Sequence, residues 1–296
     1  MLKDRVSLIR PHHWVKNVFV FAPVFFAFSL FDRSVMARTA LAAAAFSLVS
    51  SGVYVFNDLA DREDDRHHPC KKDRPIAAGR VGVKEAVSIS AGFILGGLSL
   101  AWFLGYSSLW VLLLYLAMNG LYSYKLKHFP ILDVFCVATG FLFRVIIGGT
   151  ATGIPLSQWI QVMTFLLALF LALAKRRDDL FLEFSGNGKA RKSLGGYNLE
   201  FLNSAIVLCA SVLLVAYLMY GLDPVVMAKK GSPYLYSTFL FVLFGVLRYL
   251  QLIFVKNDSG SPTRHFYLDP VLRFVLLGWV ALFLLLLYGP RFNLFG

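Results

Sequence analysis

Four residues in one short stretch have the types and spacing of a metal–phosphate site. Asn57, Asp58, Asp61 and Asp65 stand at offsets 0, 1, 4 and 8 in the run NDLADREDDRHHPCKKDRPIAAG. On a helix, which turns about 100° per residue, these offsets fall at about 0°, 100°, 40° and 80°, so all four side chains point into one arc. Carboxylates stacked one turn apart repel each other. A hard divalent cation between them removes that repulsion, and Mg²⁺ takes oxygen donors, typically one or two carboxylates completed by substrate phosphates. Asp58, Asp61 and Asp65 are therefore expected as metal-holding catalytic residues, with Asn57 as their partner in both metal and substrate binding. Cations follow at once: Arg66, Lys71, Lys72 and Arg74. A metal cluster beside cations is the arrangement a diphosphate requires, since Lys and Arg neutralise the phosphate charge that the metal does not. Lys71 and Arg74 are the strongest of these candidates, and Arg66 is carried with them.

The elements that position this cluster are set by the membrane. The chain is 58% hydrophobic and only 16% charged, against about 25% charged residues in a typical soluble domain. The excess is gathered into blocks at roughly 15–31, 35–56, 84–104, 108–124, 131–150, 157–174, 201–221, 234–255 and 270–289. Each is long enough to approach or cross a hydrocarbon layer about 30 Å thick. A lipid-facing segment must satisfy its own backbone hydrogen bonds, so each is expected as a helix. The expected fold is an all-α transmembrane bundle of about nine helices, a single domain over 1–296. Polar motif loops are expected at about 57–83 and 175–200.

Orientation follows from Lys and Arg, which favour cytoplasmic loops. With the N-terminus placed in the cytoplasm, only Arg33, Arg38, Lys229, Lys230 and Arg291 of the 29 Lys and Arg fall outside, while Arg144, Arg248 and Arg273 lie within or at the edge of helices. An odd helix count then puts the C-terminus outside, and both polar loops inside. The expected location is the plasma membrane, a bacterial inner membrane. Tyr122 and Lys127 end the fourth block on the cytoplasmic side, where they reach phosphate. Arg144 lies about 16 Å along a helix from Asp133. A charge that deep faces the bundle interior or a wet cavity, as a pocket-lining or a structural residue. In the second loop Lys175 and Arg176 make a cationic cluster suited to a second anionic substrate, with Asp179 and Glu183 as a weaker acidic pair.

Other classes fit poorly. The net charge of +12 is explained by topology, and no nucleic-acid motif accompanies it. His67, His68 and Cys70 match no zinc spacing. Three separated cysteines give no disulfide framework. No small-residue cleavage site follows the apolar N-terminal stretch, which runs into Asp32 and Arg33 and reads as an uncleaved helix. A transporter would carry charges near mid-membrane on several helices, whereas the polar residues here gather at one face.

Asn57-Asp58-x-x-Asp61-x-x-x-Asp65 resembles the NDxxDxxxD signature of the UbiA superfamily of intramembrane prenyltransferases. Further segments resemble one branch, the decaprenyl-phosphate phosphoribosyltransferases. Residues 10–17, RPHHWVKN, are similar to an RPxQWxKN opening, with His13 where Gln is usual. Residues 68–79 are similar to an HPxKxxRPIAxG run. YSYKLK at 122–127, LD at 132–133 with GFLFR at 140–144, PLSQW at 155–159 and KRRDDL at 175–180 also fit. The resemblance covers positions 10 to about 200.

This resemblance implies a Mg²⁺-dependent enzyme that moves a 5-phosphoribosyl group from phosphoribosyl diphosphate to a polyprenyl phosphate, releasing diphosphate. Its product feeds arabinose donors for cell-wall arabinan. The opening motif adds Lys16 and Asn17 to the expected substrate-binding residues. The alternative is a prenyltransferase that moves a polyprenyl group from its diphosphate to a quinone or heme precursor. The cationic second loop, which replaces the second Asp-rich site common in the superfamily, favours the phosphate acceptor.

Overall fold

The computed structural model describes residues 2–67, 71–184, 192–230, 232–256 and 268–288. Among these residues every regular element is helical. Among the described residues seven helices are long and apolar enough to cross a membrane: Arg33–Ala60, Val83–Leu104, Leu132–Thr152, Gln158–Phe181, Leu199–Leu222, Leu235–Phe254 and Pro270–Leu287. The protein is a multi-pass membrane protein. By contact it divides into two compact units, Met1–Ser157 with Asn187–Gly196, and Gln158–Gly186 with Tyr197–Gly296.

The first unit opens with α1 (Leu2–Ile9), a 3₁₀ segment (Pro11–Phe21) and α2 (Ala22–Ala27). One helix was expected over 15–31, and here the structure differs. Pro23 removes a backbone donor, and Phe28 ends α2 in the left-handed conformation at φ 65°. Runs of 3₁₀ helix longer than a few residues are uncommon. This one is held from outside, with Asn17 and Val20 buried beneath it.

Next come α3 (Arg33–Ala60), α4 (Arg62–Arg66), α5 (Val83–Leu104), α6 (Tyr106–Tyr124) and α7 (Leu132–Thr152). Asp32 starts α3 by accepting hydrogen bonds from Ser34 N and Val35 N at 2.9 and 3.1 Å, an N-cap. α3 and α5 cross with backbones nearly touching. A Cβ on Gly52 would lie 2.8 Å from the Ser90 carbonyl, and the Ser90 hydroxyl donates to the Gly52 carbonyl at 2.8 Å. Small residues at helix crossings let dispersion act over a large area where no hydrophobic force drives association. Phe46, Leu112, Tyr115 and Ile147 fill the core between α3, α6 and α7. At the far end Arg38 donates to the Ala151 and Leu104 carbonyls at 2.6 and 3.1 Å, closing the C-termini of α7 and α5. Arg38 and Asp58 are thus about 30 Å apart along α3, one hydrocarbon thickness.

The second unit contains α8 (Gln158–Phe184), α9 (Leu199–Leu222), α10 (Pro224–Lys230), α11 (Phe239–Phe254) and α12 (Pro270–Tyr288). Polar pins fix it. Trp159 donates to Asp223 at 2.8 Å, Arg177 donates to Asn203 at 2.8 Å and to the Ile253 carbonyl at 3.0 Å, and Arg248 pairs with Asp269 at 2.7 Å. Trp279 donates to the Tyr217 hydroxyl, which also pairs with Thr238.

Candidate active site at the end of α3

α3 ends at Ala60, and Asp61 breaks the helix at φ −92°, ψ 5° before α4 begins. The hydrogen-bond ladder nevertheless runs through the break. Asp61 N donates to the Asn57 carbonyl at 2.9 Å, and Asp65 N to the Asp61 carbonyl at 2.8 Å. The backbone ladder therefore continues past Asp61, and the four residues expected on one helix lie along α3, the break and α4.

The loop that follows is shaped by one buried side chain. Ile76 inserts among Leu8, Val55, Val81 and Ala86, and Gly79 turns the backbone at φ 73°, where a Cβ would be strained. Arg66 donates to the Ala77 carbonyl at 3.2 Å, and Arg80 to Asp4 at 2.8 Å and to the Asp73 carbonyl at 2.5 Å. The Arg80 guanidinium holds the Asp4 carboxyl below the usual carboxylate range. So anchored, the loop delivers Arg74 to the carboxylates.

There Arg74 Nη1 bridges two of them, donating to Asp58 at 2.9 Å and Asp65 at 2.7 Å. Asp58 also accepts from Arg10 at 2.7 Å. Lys71 stands 3.8 Å from Asp65. Lys127, just beyond α6, pairs with Asp61, and Ser123 donates to the Asn57 side-chain oxygen. Asp58 and Asp65 are buried, while Asp61 is partly open. Three carboxylates thus meet four cations, Arg10, Lys71, Arg74 and Lys127, which leaves the cluster cationic. Burying carboxylates is costly unless each is paired, and here each has a cation beside it.

Among the described residues no three His, Cys, Asp or Glu side chains converge as a ready-made metal cage. Mg²⁺ is usually completed by substrate phosphates and water around one or two carboxylates. The carboxylates of Asp58, Asp61 and Asp65 and the amide oxygen of Asn57, at the junction of α3 and α4, are oxygen donors of the hard kind it takes.

Of the residues expected from sequence, the structure brings together Asn57, Asp58, Asp61, Asp65, Lys71, Arg74 and Lys127. Arg66 is close in sequence but forks onto Glu63 at 3.1 Å. Tyr122 is half-buried, one residue before Ser123. Asn17 and Arg144 form a separate buried pair. Arg144 Nε donates to Asn17 at 2.8 Å, its Nη1 to the Gly140 carbonyl at 2.6 Å, and Asn17 donates to Ser47 at 2.7 Å. The guanidinium lies 4.6 Å from the Phe46 ring centre and 5.1 Å from that of Phe141, favourable cation–π distances. Lys16, half-buried, precedes Asn17. Lys175 is exposed in the second unit, and Arg176 is buried against Asp179 at 3.1 Å. His68, Pro69 and Cys70 lie outside the described residues, as do 185–191 of the second loop, the Glu183 side chain and 289–296 at the C-terminus.

Sequence reasoning missed Arg10 and Ser123 as members of the cluster. Arg10 adopts φ 48°, ψ 61°, a rare conformation for a residue with a Cβ. The signal for it was present in the opening Arg-Pro motif. Ser123 carried none beyond its place beside Tyr122.

Residues 18–277 match the model of the UbiA prenyltransferase family, and the chain belongs to that family. Among its relatives is the decaprenyl-phosphate phosphoribosyltransferase of Corynebacterium glutamicum, 31% identical over 96% of this chain and 86% of that protein. The enzyme of the same name from Mycobacterium tuberculosis is 35% identical over 93% of this chain and 91% of its own. The fold is similar to that of a UbiA homologue from Archaeoglobus fulgidus solved with DMAPP and Mg²⁺, at a TM-score of 0.71, 18% identity and coverage of 94% of this chain and 96% of that one.

Proposed function

We propose that this enzyme transfers a 5-phosphoribosyl group from phosphoribosyl diphosphate to a polyprenyl phosphate and releases diphosphate. The observation that carries this reading is the similarity, over nearly the whole chain, to enzymes named for phosphoribosyl transfer to decaprenyl phosphate. The cation-rich carboxylate cluster supports it. As the bond from ribose C1 to the diphosphate breaks, its electron pair leaves with the diphosphate and C1 becomes oxocarbenium-like. A lipid phosphate oxygen then forms the new bond at C1.

The chain's own residues hold charge in place through that step. Arg10, Lys71, Arg74 and Lys127 move from the carboxylates onto phosphate oxygens, and Asn57 is oriented by Ser123. Preorganised charge of this kind usually lowers such a barrier more than any other single effect. Asp58, Asp61 and Asp65, with Asn57, would hold Mg²⁺, which would supply the remaining neutralisation of the leaving group. Lys16, Asn17, Arg66, Tyr122 and Arg144 are proposed as further substrate-binding residues, and Lys175 and Arg176 as ligands of a second anionic group. The residues 1–296 work as one domain in the plasma membrane, with the N-terminus and the carboxylate cluster on the cytoplasmic side, and the product serves cell-wall arabinan synthesis.

The test is turnover by purified protein with labelled phosphoribosyl diphosphate and several polyprenyl phosphates, with and without Mg²⁺. Metal-dependent formation of labelled lipid and free diphosphate is expected. Transfer of a prenyl chain to an aromatic acceptor, with no labelled lipid, overturns the donor assignment.

A further inference from the structure

The first helix closes on an unusual residue. A helix C-terminus often ends on a left-handed residue, most often glycine. After α1 that place is taken by Arg10, at φ 48°, ψ 61°, with Pro11 next in the chain. A Cβ makes this conformation costly, and a residue before proline favours extended backbone. Such a conformation persists only where its neighbours over-determine it.

Those neighbours stand on one ridge of α3. At about 100° per residue, Ser51, Tyr54 and Asp58 fall within an arc of about 60°, and all three meet the N-terminal segment. Asp58 accepts from the Arg10 guanidinium at 2.7 Å. The same guanidinium lies 5.3 Å from the Tyr54 ring centre. Ser51, fully buried, serves both flanks of Arg10. Its hydroxyl donates to the Ile9 carbonyl at 2.8 Å and accepts from Trp14 Nε1 at 3.0 Å. The Ile9 carbonyl is among those left over at the C-terminus of α1, so the first bond ends the helix where Arg10 must turn. The second holds the chain beyond Pro11. Ser51 carries no charge and lies about 10 Å along α3 from Asp58. It therefore acts on the carboxylate cluster through Arg10.

We propose that Ser51 and Trp14 are positioning residues that aim Arg10, and through it set the affinity for the diphosphate end of the donor. The assignment deepens the proposed function and rests on its placing of Arg10 on phosphate. Ser51→Ala removes both bonds, and Trp14→Phe removes one while keeping an aromatic ring. Michaelis constants of both substrates are measured in detergent, together with the dissociation constant of inorganic diphosphate in the presence of Mg²⁺. Ser51→Ala is expected to raise the constants of phosphoribosyl diphosphate and of diphosphate about tenfold, the low end for one lost charged hydrogen bond. That of the polyprenyl phosphate is expected to stay unchanged. In an Arg10→Gln background the same substitution is expected to add less than about twofold, because residues that act through one another are not additive. A lowered thermal midpoint with unchanged constants makes Ser51 structural and overturns the proposal. So does an equal effect with Arg10 already replaced, which separates Ser51 from Arg10. If Ser51→Ala does not fold, Trp14→Phe, at a partly exposed site, carries the same cycle with a smaller change in the same constants. Diphosphate binding is read without turnover, so an enzyme with a different donor fails the transfer assay and still shows the cycle.

Discussion

Arg10 donates to Asp58 at 2.7 Å across 48 positions of sequence. That single bond ties the N-terminal strap to the carboxylate cluster. The strap reaches its place because its 3₁₀ segment lies directly on α7. A Cβ on Gly148 would collide with the Val20 carbonyl, and Asn17 is clasped by Arg144 and Ser47.

Arg10→Gln is expected to weaken the donor substrate more than the fold. Asp58 keeps Arg74 as a partner at 2.9 Å, so its charge is not stranded. The loss of one charged hydrogen bond to phosphate costs about 1.5–3 kcal/mol. Steady-state kinetics should show it in kcat/KM for phosphoribosyl diphosphate, with the thermal midpoint little changed. Normal kinetics would return Arg10 to a structural role.

Asp61→Ala is expected to abolish turnover in a folded protein. Of the three carboxylates Asp61 is the most open, and Lys127, its partner, is also partly exposed. Its removal leaves no deeply buried charge. Thermal unfolding in detergent checks the fold, and product formation checks the chemistry. Near-normal turnover would remove Asp61 from the metal site.

Arg144→Ala is expected to lower stability by about 1–3 kcal/mol, the cost of leaving the buried Asn17 acceptor unmet, beyond the lost packing on Phe46. The measurement is the thermal midpoint of the purified variant. A normal midpoint together with lost activity would instead make Arg144 a substrate contact.

The proposed topology places the loop after α4 in the cytoplasm and the turn at Gly105 outside. Reporter fusions ending at Arg80 and at Gly105 are separated by α5 alone, so they should report opposite sides. The same side for both would contradict α5 as a span.

The sequence determined the helical class and the spacing of the carboxylates. Both are local: apolar blocks must close their own backbone hydrogen bonds in lipid, and the offsets of Asn57, Asp58, Asp61 and Asp65 lie within one short stretch. At Asp61, where α3 breaks, the i to i−4 backbone bonds continue. Lys71 and Arg74 were legible because they follow the motif closely in sequence. The tertiary structure decided what lies far along the chain. Arg10, Ser123 and the partner of Asp61 arrive on other elements, and no periodicity encodes which strap or helix end closes over α3. It also separated like from like. Arg74 and Arg144 are both arginines near a helix, yet one reaches the carboxylates while the other is spent on Asn17 and a backbone carbonyl. Only packing distinguishes them, since a buried guanidinium takes whichever acceptors its neighbours leave unpaired.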